Sequence, residues 1–177
     1  EHQIGDYPEN WVNKNISMKD LAPYIYLNLE QIKQSKVRSF YFSYFFKWNI
    51  MENFKYIEKM LPNFMTNPNG RTEGTFTNFD SLDDKIDSLY YYMQYIKFGF
   101  GRATRDACRL IQNKQMKREE AIKLARKYDD EFPKTDLKEI LKYLNLSEFD
   151  FEEIINKHRN SEIWKQQGNS WKLINSI

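Results

Sequence analysis

The spacing of apolar positions along the chain predicts a protein built mainly of helices. Residues 50–61 carry apolar side chains three or four positions apart and end before a proline. A longer apolar stripe occupies one face of the next helix and consists of Leu82, Ile86, Leu89, Met93 and Ile96. Residues 117–129 repeat the helical pattern. We therefore expect a mainly α, multi-helix fold.

Short polar motifs predict where several helices begin. Ser17, Ser81 and Ser147 each precede an aspartate by three positions, which is the form of a capping box. In such a box, side chains satisfy the free backbone donors of a helix start. Thr135 is placed to cap a further helix.

Residues 37–46 (VRSFYFSYFF) depart from the helical pattern and predict a β-strand. Aromatic and β-branched side chains occupy both sides of this run, which lacks a helical pattern of charges. A strand that is apolar on both faces belongs inside a covered sheet. Because no second run is as strand-like, we expect its partner strands to be missing or to come from another chain.

Composition and charge exclude several classes of protein. The net charge is +2 and basic residues are interspersed with acidic ones, so a nucleic-acid surface has little support. One cysteine excludes an internal disulfide, and two histidines at opposite ends argue against a metal site. No apolar run reaches the length of a membrane span and no signal peptide is visible, so we expect a cytosolic protein.

The aromatic and sulfur-containing side chains have ordinary interpretations. The aromatic share of 16% predicts a core built with aromatic rings rather than a binding platform. Trp164 and Trp171 flank a Gly168-Asn169 turn and are expected to hold the tail against the body of the protein. The apolar neighbours of Cys108 predict a buried, inert thiol.

Three arginines concentrate positive charge on one helix face. Arg102, Arg105 and Arg109 lie at positions i, i+3 and i+7, and an aspartate at 106 can pair with the first of them. The pattern fits a charged face in solvent, and it also fits a site for phosphate or carboxylate. The preceding Gly99-Phe100-Gly101 sequence predicts a helix break, where backbone can approach a ligand at a helix N-terminus that favours anions.

Further candidate ligands precede these helices. Asp80 lies before the predicted cap, so the helix dipole does not explain it as it explains the neighbouring acids. Its carboxylate suits a sugar hydroxyl, a magnesium ion or an ammonium group, and Asn78 stands close by. Lys47 and Trp48 follow the predicted strand, where ligands bind in open α/β sheets, although a tryptophan that anchors the next helix is an equally good interpretation.

Several blocks of the sequence resemble one known family, the bacterial N-acetyl sugar amidotransferases of pseudaminic acid, legionaminic acid or lipopolysaccharide biosynthesis. The similarity is to their C-terminal half and rests on FYFSYFFKWNIMENFKYIEK, GTFTNFDSLDDKIDSLYYYMQYIKFGFGRATRDA, REEAIKLARKYDDEFPK and WKQQGNSWKL. It covers most of the chain from about residue 37 onward. The most specific blocks are FKW, NFDS-x-DDK and FGFGRATRDA.

This resemblance implies an ATP-dependent enzyme related to PP-loop ATP pyrophosphatases. ATP would adenylylate the amide oxygen of an N-acetyl sugar, and ammonia from a glutaminase subunit would displace AMP to leave an acetamidino group. The SGG-x-DS type of loop that holds the ATP pyrophosphate in this family does not occur in the sequence. We therefore expect ATP and Mg²⁺ in the full-length enzyme, and neither ATP binding nor turnover by this chain alone.

The resemblance also implies a domain division and a set of site residues. Residues 1–48 would be the end of the PP-loop core, with Glu1 and His2 closing a core strand, and residues 49–177 a helical C-terminal region of a truncated or processed chain. No catalytic residue and no metal ligand is assigned. The expected substrate or anion ligands are Arg102, Arg105, Asp80, Asn78, Lys47 and Trp48, and the expected cofactor contacts are Gly99 and Gly101.

A second interpretation is a non-catalytic helical domain that docks a glutaminase subunit or a second copy of itself. An exposed strand edge at residues 37–46 and the excess of aromatic residues would suit that role. A polar cleft between residues 78–106 and the Lys47-Trp48 pair would favour the enzyme, and a flat apolar patch with buried arginines would favour docking.

Overall fold

The computed structural model describes residues 7–168 and 170–176. The chain divides into two compact units, Glu1–Trp48 and Asn49–Ile177. The prediction that Glu1 and His2 close a core strand lies outside the described residues.

The first unit contains short helical elements, and none of the side chains of residues 7–48 is buried. Two 3-10 helices span Pro8–Trp11 and Ala22–Tyr24, and two α-helices follow, α1 (Leu29–Ser35) and α2 (Phe42–Phe45). The predicted pair of Ser17 and Asp20 forms, since the Asp20 carboxylate accepts from the Ser17 N–H at 2.9 Å. It opens a turn rather than an α-helix.

The strand predicted at residues 37–46 is wrong. α2 is one helical turn there, in which the Phe46 N–H donates to the Phe42 carbonyl at 3.1 Å and the two rings stack with centroids 4.7 Å apart. A strand without a neighbour leaves backbone donors and acceptors unpaired, whereas a helical turn pairs them locally. Because the described residues of this unit supply no partner strand, the local turn is the more stable arrangement.

The second unit is a helical body that carries a β-hairpin. Its helices are α3 (Ile50–Met60), α4 (Asp87–Phe98), α5 (Arg102–Gln112), α6 (Arg118–Tyr128), α7 (Leu137–Leu144) and α8 (Glu148–Lys157). Strands β1 (Trp164–Gln167) and β2 (Ser170–Leu173) pair antiparallel, with Trp164 opposite Leu173. The mainly α prediction is therefore confirmed. In the described ranges, no helix combines the length and apolar character needed to cross a bilayer.

The core forms where α4, α7 and α8 meet, and its buried members are Leu89, Ile96, Ile140, Leu141, Phe151 and Ile155. Ile86 and Met93 pack against this cluster, so four of the five residues of the predicted apolar stripe lie in or against the core. Leu82 precedes α4 and is 43% exposed. Beside the core, α5 packs on α6, and both helices bury small side chains there, Ala103, Ala107, Ala121 and Ala125.

Only one of the second unit's predicted helix caps forms. The Ser147 hydroxyl accepts from the Asp150 N–H at 3.1 Å and α8 begins there, as predicted. Ser81 adopts a left-handed conformation with φ 58° and bonds the Tyr91 hydroxyl, and α4 begins only at Asp87. Thr135 donates its N–H to Glu73 at 2.9 Å instead of capping α7. Ser81 and Thr135 therefore form hydrogen bonds with residues more distant in the sequence instead of the predicted caps.

The hairpin is fastened to the end of α4. Trp164 is buried, and its Nε1–H donates to the Ile96 carbonyl at 2.7 Å, so the prediction that it holds the tail is confirmed. Gly99 ends α4 with φ 75°, and a Cβ there would lie 2.8 Å from Cγ2 of Ile163. Glycine is therefore required at this position both by backbone conformation and by the approach of the hairpin.

The loop before α4 is held to the segment after α6 by a bidentate ion pair. Arg71 donates from both terminal nitrogens to Glu131, each at 2.6 Å, and the Gly74 N–H donates to the same carboxylate at 2.9 Å. Burial opposes the charge of Glu131, but these hydrogen bonds outweigh it and lower the pKa of Glu131 below its usual value. The pair therefore stabilises the fold while the carboxylate is charged.

We expect Glu131→Gln to lower the free energy of unfolding by about 2 kcal/mol at neutral pH, because the buried donors lose a charged acceptor. The contribution is complete above the usual carboxyl pKa of 4.5 and is lost as the pH falls through the lower folded value. Urea unfolding of wild type and variant at several pH values measures the difference, which should shrink on acidification.

Glu139→Gln is the matched control, because Glu139 pairs with Lys85 at 2.8 Å while its side chain is 65% exposed. Exposed pairs contribute little, so we expect a much smaller change in the free energy of unfolding than for Glu131→Gln. Equal losses for the two variants would contradict a special role for the Glu131 pair.

Candidate functional site

Arg102 lies at the centre of a buried cluster that also contains Asp80, Asp106 and Tyr91. Its side chain is 11% exposed, with Nη2 at 2.7 Å from Asp80 and Nε at 2.5 Å from Asp106. The predicted pairing with Asp106 is therefore confirmed. Nη1 donates to the Tyr91 hydroxyl at 2.8 Å. Burial opposes the charge of the guanidinium, but the two carboxylates outweigh it and raise the pKa of Arg102.

Asp80 has a structural partner that the sequence did not reveal. The residue is 8% exposed, and its carboxylate accepts hydrogen bonds from Arg102 and from the Thr77 hydroxyl. A carboxylate can be buried at low cost only when it is paired in this way. The charge of Asp80 is thus balanced within the chain, and its role as a substrate ligand stays a prediction. Asn78 is exposed beside it, and its role stays a prediction too.

Tyr91 links the buried cluster to the start of α4, and sequence reasoning missed it. Burial raises its pKa, although bonding to Ser81 and the charge of Arg102 favour the phenolate. The hydroxyl therefore stays protonated and connects Ser81, Asp87 and Arg102. Three tyrosines follow one another at positions 90–92. The buried one lies on the helix face opposite the apolar stripe, so the helical pattern gave no signal for it.

The N-terminus of α5 is occupied by a carboxylate of the chain itself. Asp129, directly after α6, accepts from the Thr104 N–H at 2.9 Å and from the Thr104 hydroxyl at 2.5 Å. Sequence reasoning missed this residue as well. An acid at a helix C-terminus is disfavoured by the helix dipole, and that unfavourable placement is the signal that could have identified it.

Both glycines of the predicted break have packing roles that need no cofactor. A Cβ on Gly101 would lie 2.8 Å from the Cα and carbonyl oxygen of Asp129, and Gly99 faces the hairpin equally closely. The break itself is confirmed, because Gly99 ends α4 and Gly101 precedes α5. With Asp129 bound to the Thr104 N–H, an anionic group of the chain itself already lies at this helix start. The assignment of the two glycines as cofactor contacts stays a prediction.

A pocket of about 450 Å³ opens beside the Asp129 cap, which is a volume that suits a small molecule. Tyr95, Phe100, Thr104 and Asp130 contribute to its wall. Burial, together with the neighbouring carboxylates, raises the pKa of Tyr95 to about 12, so its hydroxyl stays protonated. The pocket therefore presents aromatic rings, a hydroxyl and carboxylates to a polar ligand. Among the described residues, no group of His, Cys, Asp and Glu side chains could hold a metal ion.

The three predicted arginines do not form one uniform face. Arg102 is buried, whereas the side chains of Arg105 and Arg109 are 33% and 53% exposed. The interpretation as a charged solvent face therefore holds for the far end of α5 and is wrong for its first turn.

Cys108 is exposed, so the prediction of a buried thiol is also wrong. It lies on the polar side of the helix, opposite the alanines that pack on α6.

Lys47 and Trp48 belong to the first unit, where both side chains are exposed and follow a helical turn. Their predicted position at the end of a strand is wrong. That they contact a ligand stays a prediction. The remaining predicted site residues, Asn78, Asp80, Gly99, Gly101, Arg102 and Arg105, all lie in the second unit.

We expect Arg102→Met to lower the free energy of unfolding by about 3 kcal/mol or more, because Asp80 would be left buried without its cation. Asp106 would keep only the more distant Arg105 and Arg109. Adding Asp80→Asn to this variant should recover part of the loss, since one uncompensated charge is removed. Urea unfolding of the three proteins measures both effects. Arg109→Met is the control, because this side chain is 53% exposed and should contribute little. A similar loss for Arg102→Met and Arg109→Met would refute the importance of burial.

We expect Gly101→Ala to destabilise the protein by about 1–3 kcal/mol, because the added methyl group would overlap the backbone at Asp129. Hydrogen exchange at the Thr104 amide should also accelerate as its cap is displaced. Gly70→Ala is the control, since a Cβ there meets nothing within 4 Å and strains only a left-handed backbone. Unchanged exchange at Thr104 in Gly101→Ala would contradict the proposed packing.

The family of the chain follows from its second unit. Residues 73–177 match the family described as the C-terminal domain of WbpG-like lipopolysaccharide biosynthesis proteins. No curated protein matches the chain. The matched range is more than half of the chain and contains the buried cluster, the helix break and the Asp129 cap. The chain therefore belongs to the WbpG-like family of lipopolysaccharide biosynthesis proteins.

Proposed function

We propose that the chain is the C-terminal part of an amidotransferase that converts the N-acetyl group of a bacterial surface sugar or flagellin glycan to an acetamidino group. Membership of the WbpG-like family carries this proposal, because it connects the chain with lipopolysaccharide biosynthesis. Two of the three most specific blocks of the resemblance to N-acetyl sugar amidotransferases, NFDS-x-DDK and FGFGRATRDA, lie inside the matched residues.

In the proposed reaction, the amide oxygen of the sugar attacks the α-phosphorus of ATP and pyrophosphate leaves. Ammonia then adds to the activated carbon, and AMP leaves with the former amide oxygen. ATP and Mg²⁺ would be held by the part of the full-length enzyme that carries the PP-loop, and a glutaminase subunit would supply the ammonia. The pathway would operate in the cytosol.

The second unit would form part of the wall around the sugar or the nucleotide. Arg105 suits an anionic group, because its guanidinium is partly exposed and its nearest carboxylate oxygen, on Asp106, is 3.6 Å away. Arg102 would act indirectly, by holding Asp80 and Tyr91 in place. The exposed amide of Asn78 suits the polar groups of a sugar. Lys47 and Trp48 remain further candidates for substrate contact.

A second candidate function is docking, and the exposed aromatic side chains of the first unit favour it. Tyr44 is 84% exposed and Phe40 is 68% exposed, in a run of residues that buries no side chain. Contiguous exposed apolar surface on a protein marks an interaction site. The partner would be the glutaminase subunit or a second copy of the chain.

We expect purified chain to convert no ATP to AMP, and full-length enzyme to do so when glutamine, glutaminase and an N-acetyl sugar are present. In the full-length enzyme, Arg105→Ala should raise the KM for the anionic substrate about tenfold, which corresponds to the loss of one charge-assisted contact. Chromatography of AMP and mass spectrometry of the sugar product provide the measurements.

Arg118→Ala is the control for the kinetic experiment, because Arg118 is exposed at the start of α6. Conversion of ATP by the chain alone would contradict the claim that the ATP-binding loop lies in another part of the full-length enzyme. Unchanged KM values for every substrate in Arg105→Ala would reject its anion role. Loss of glutaminase binding in Tyr44→Ser, with unchanged KM values, would favour the docking function.

A further inference from the structure

We propose that the outer face of α5 carries a binding groove for a phosphate ester or diphosphate, with Arg105 and Arg109 as its ligands. The groove has a volume of about 410 Å³ and is lined by Phe100, Thr104, Arg105, Cys108, Arg109 and Gln112. It lies apart from the buried cluster. The groove deepens the proposed function, in which Arg105 binds the anionic group of the substrate, but its test needs no amidotransferase turnover.

The groove has more positive charge than its neighbours neutralise. Arg105 and Arg109 both face Oδ1 of Asp106, at 3.6 Å and 3.7 Å. The other oxygen of Asp106 accepts from Arg102 at 2.5 Å. One carboxylate is therefore shared among three guanidiniums, and Asp80 balances only the buried one. The surplus is located on the two exposed arginines, where an anion would be attracted.

The hydrogen bonding of Arg105 is incomplete. Its Nε is buried and has no hydrogen-bond partner, and Oδ1 of Asp106 is in the same condition. A buried donor without an acceptor destabilises a protein, and such groups in a native structure call for an explanation. In the part of the chain that the structure describes, neither the Arg105 nor the Arg109 guanidinium forms a hydrogen bond. Because Nε is buried and faces Oδ1 of Asp106 at 3.6 Å, a phosphoryl oxygen would bind the terminal nitrogens of Arg105.

The spacing of the two arginines suits a phosphoryl group. Residues four apart on a helix are neighbours separated by about 6 Å along its axis, so two guanidinium forks can reach the oxygens of one phosphate or of adjacent phosphates. Phe100 stands at one end of the groove with its ring 44% exposed, and the Gln112 amide stands at the other end of α5. The ring offers an apolar surface for the organic part of the ligand.

Cys108 provides a direct readout of the groove. It is the only cysteine of the 177 residues and is exposed between the two arginines. Its rate of alkylation by iodoacetamide, an uncharged reagent, should fall when the groove is filled. The probes are uridine diphosphate and inorganic phosphate, with glucose as an uncharged comparison. For each protein the rate with probe is divided by the rate without it, which removes the effect of a substitution on the thiol itself.

We expect uridine diphosphate to protect Cys108 and glucose to leave its rate unchanged. Arg105→Gln and Arg109→Gln should each weaken the protection about tenfold, because each removes a charge-assisted contact. Arg118→Gln is the control, because Arg118 is exposed and lies outside the groove. In this variant, uridine diphosphate should protect Cys108 as well as it does in the wild type. Thermal unfolding checks that each variant is folded. Should Arg105→Gln fail to fold, the more exposed Arg109→Gln carries the test.

The outcomes separate clearly. Equal protection by inorganic phosphate and uridine diphosphate supports the phosphoryl site and assigns its affinity to the arginines. Stronger protection by uridine diphosphate than by phosphate also supports the phosphoryl site. It would indicate that the ring of Phe100 contacts the organic part of the ligand. Alkylation that neither probe slows, or protection that survives Arg109→Gln, overturns the proposal. Because no turnover is measured, failure of the amidotransferase reaction would leave this result unaffected.

Discussion

The ion pair between Arg102 and Asp80 is the constraint on which the second unit depends. It joins the first turn of α5 to the loop before α4, across 22 positions of sequence, and Tyr91 completes it from α4. A buried charge is costly unless its partners are in place, so the pair favours the observed packing of the three segments. The same pair determines the outer face of α5. Because Asp106 binds Arg102 closely, it neutralises Arg105 and Arg109 only weakly.

The start of α5 illustrates how a site suggested by sequence can be filled by the protein itself. A glycine-framed helix N-terminus attracts anions, and here the anion is Asp129. The absence of a side chain at Gly101 brings that carboxylate close enough to act as a cap. What remains accessible for a ligand is the exposed side of the helix and the pocket beside Tyr95.

Features determined by neighbours in sequence could be predicted, and features determined by distant partners could not. The helix at Ile50–Met60 and the Ser147 cap depend on local spacing and local hydrogen bonds, and both were predicted correctly. The strand at residues 37–46 requires a partner strand, whose absence among the described residues favours a helical turn. Ser81 and Asp80 bond to Tyr91 and Arg102, so their sequence context alone suggested other roles.

The anchoring of the loop before α4 has a consequence for any shortened version of this protein. The family match begins at residue 73, but Arg71, which neutralises Glu131, lies upstream of that point. The Asn67 N–H also donates to the Asn78 carbonyl at 2.7 Å, and the ring of Phe54 stacks on Phe79 at 4.3 Å. A chain cut at the start of the matched range would lose all three contacts. The packed structure around the matched range therefore begins before the sequence by which the family is recognised.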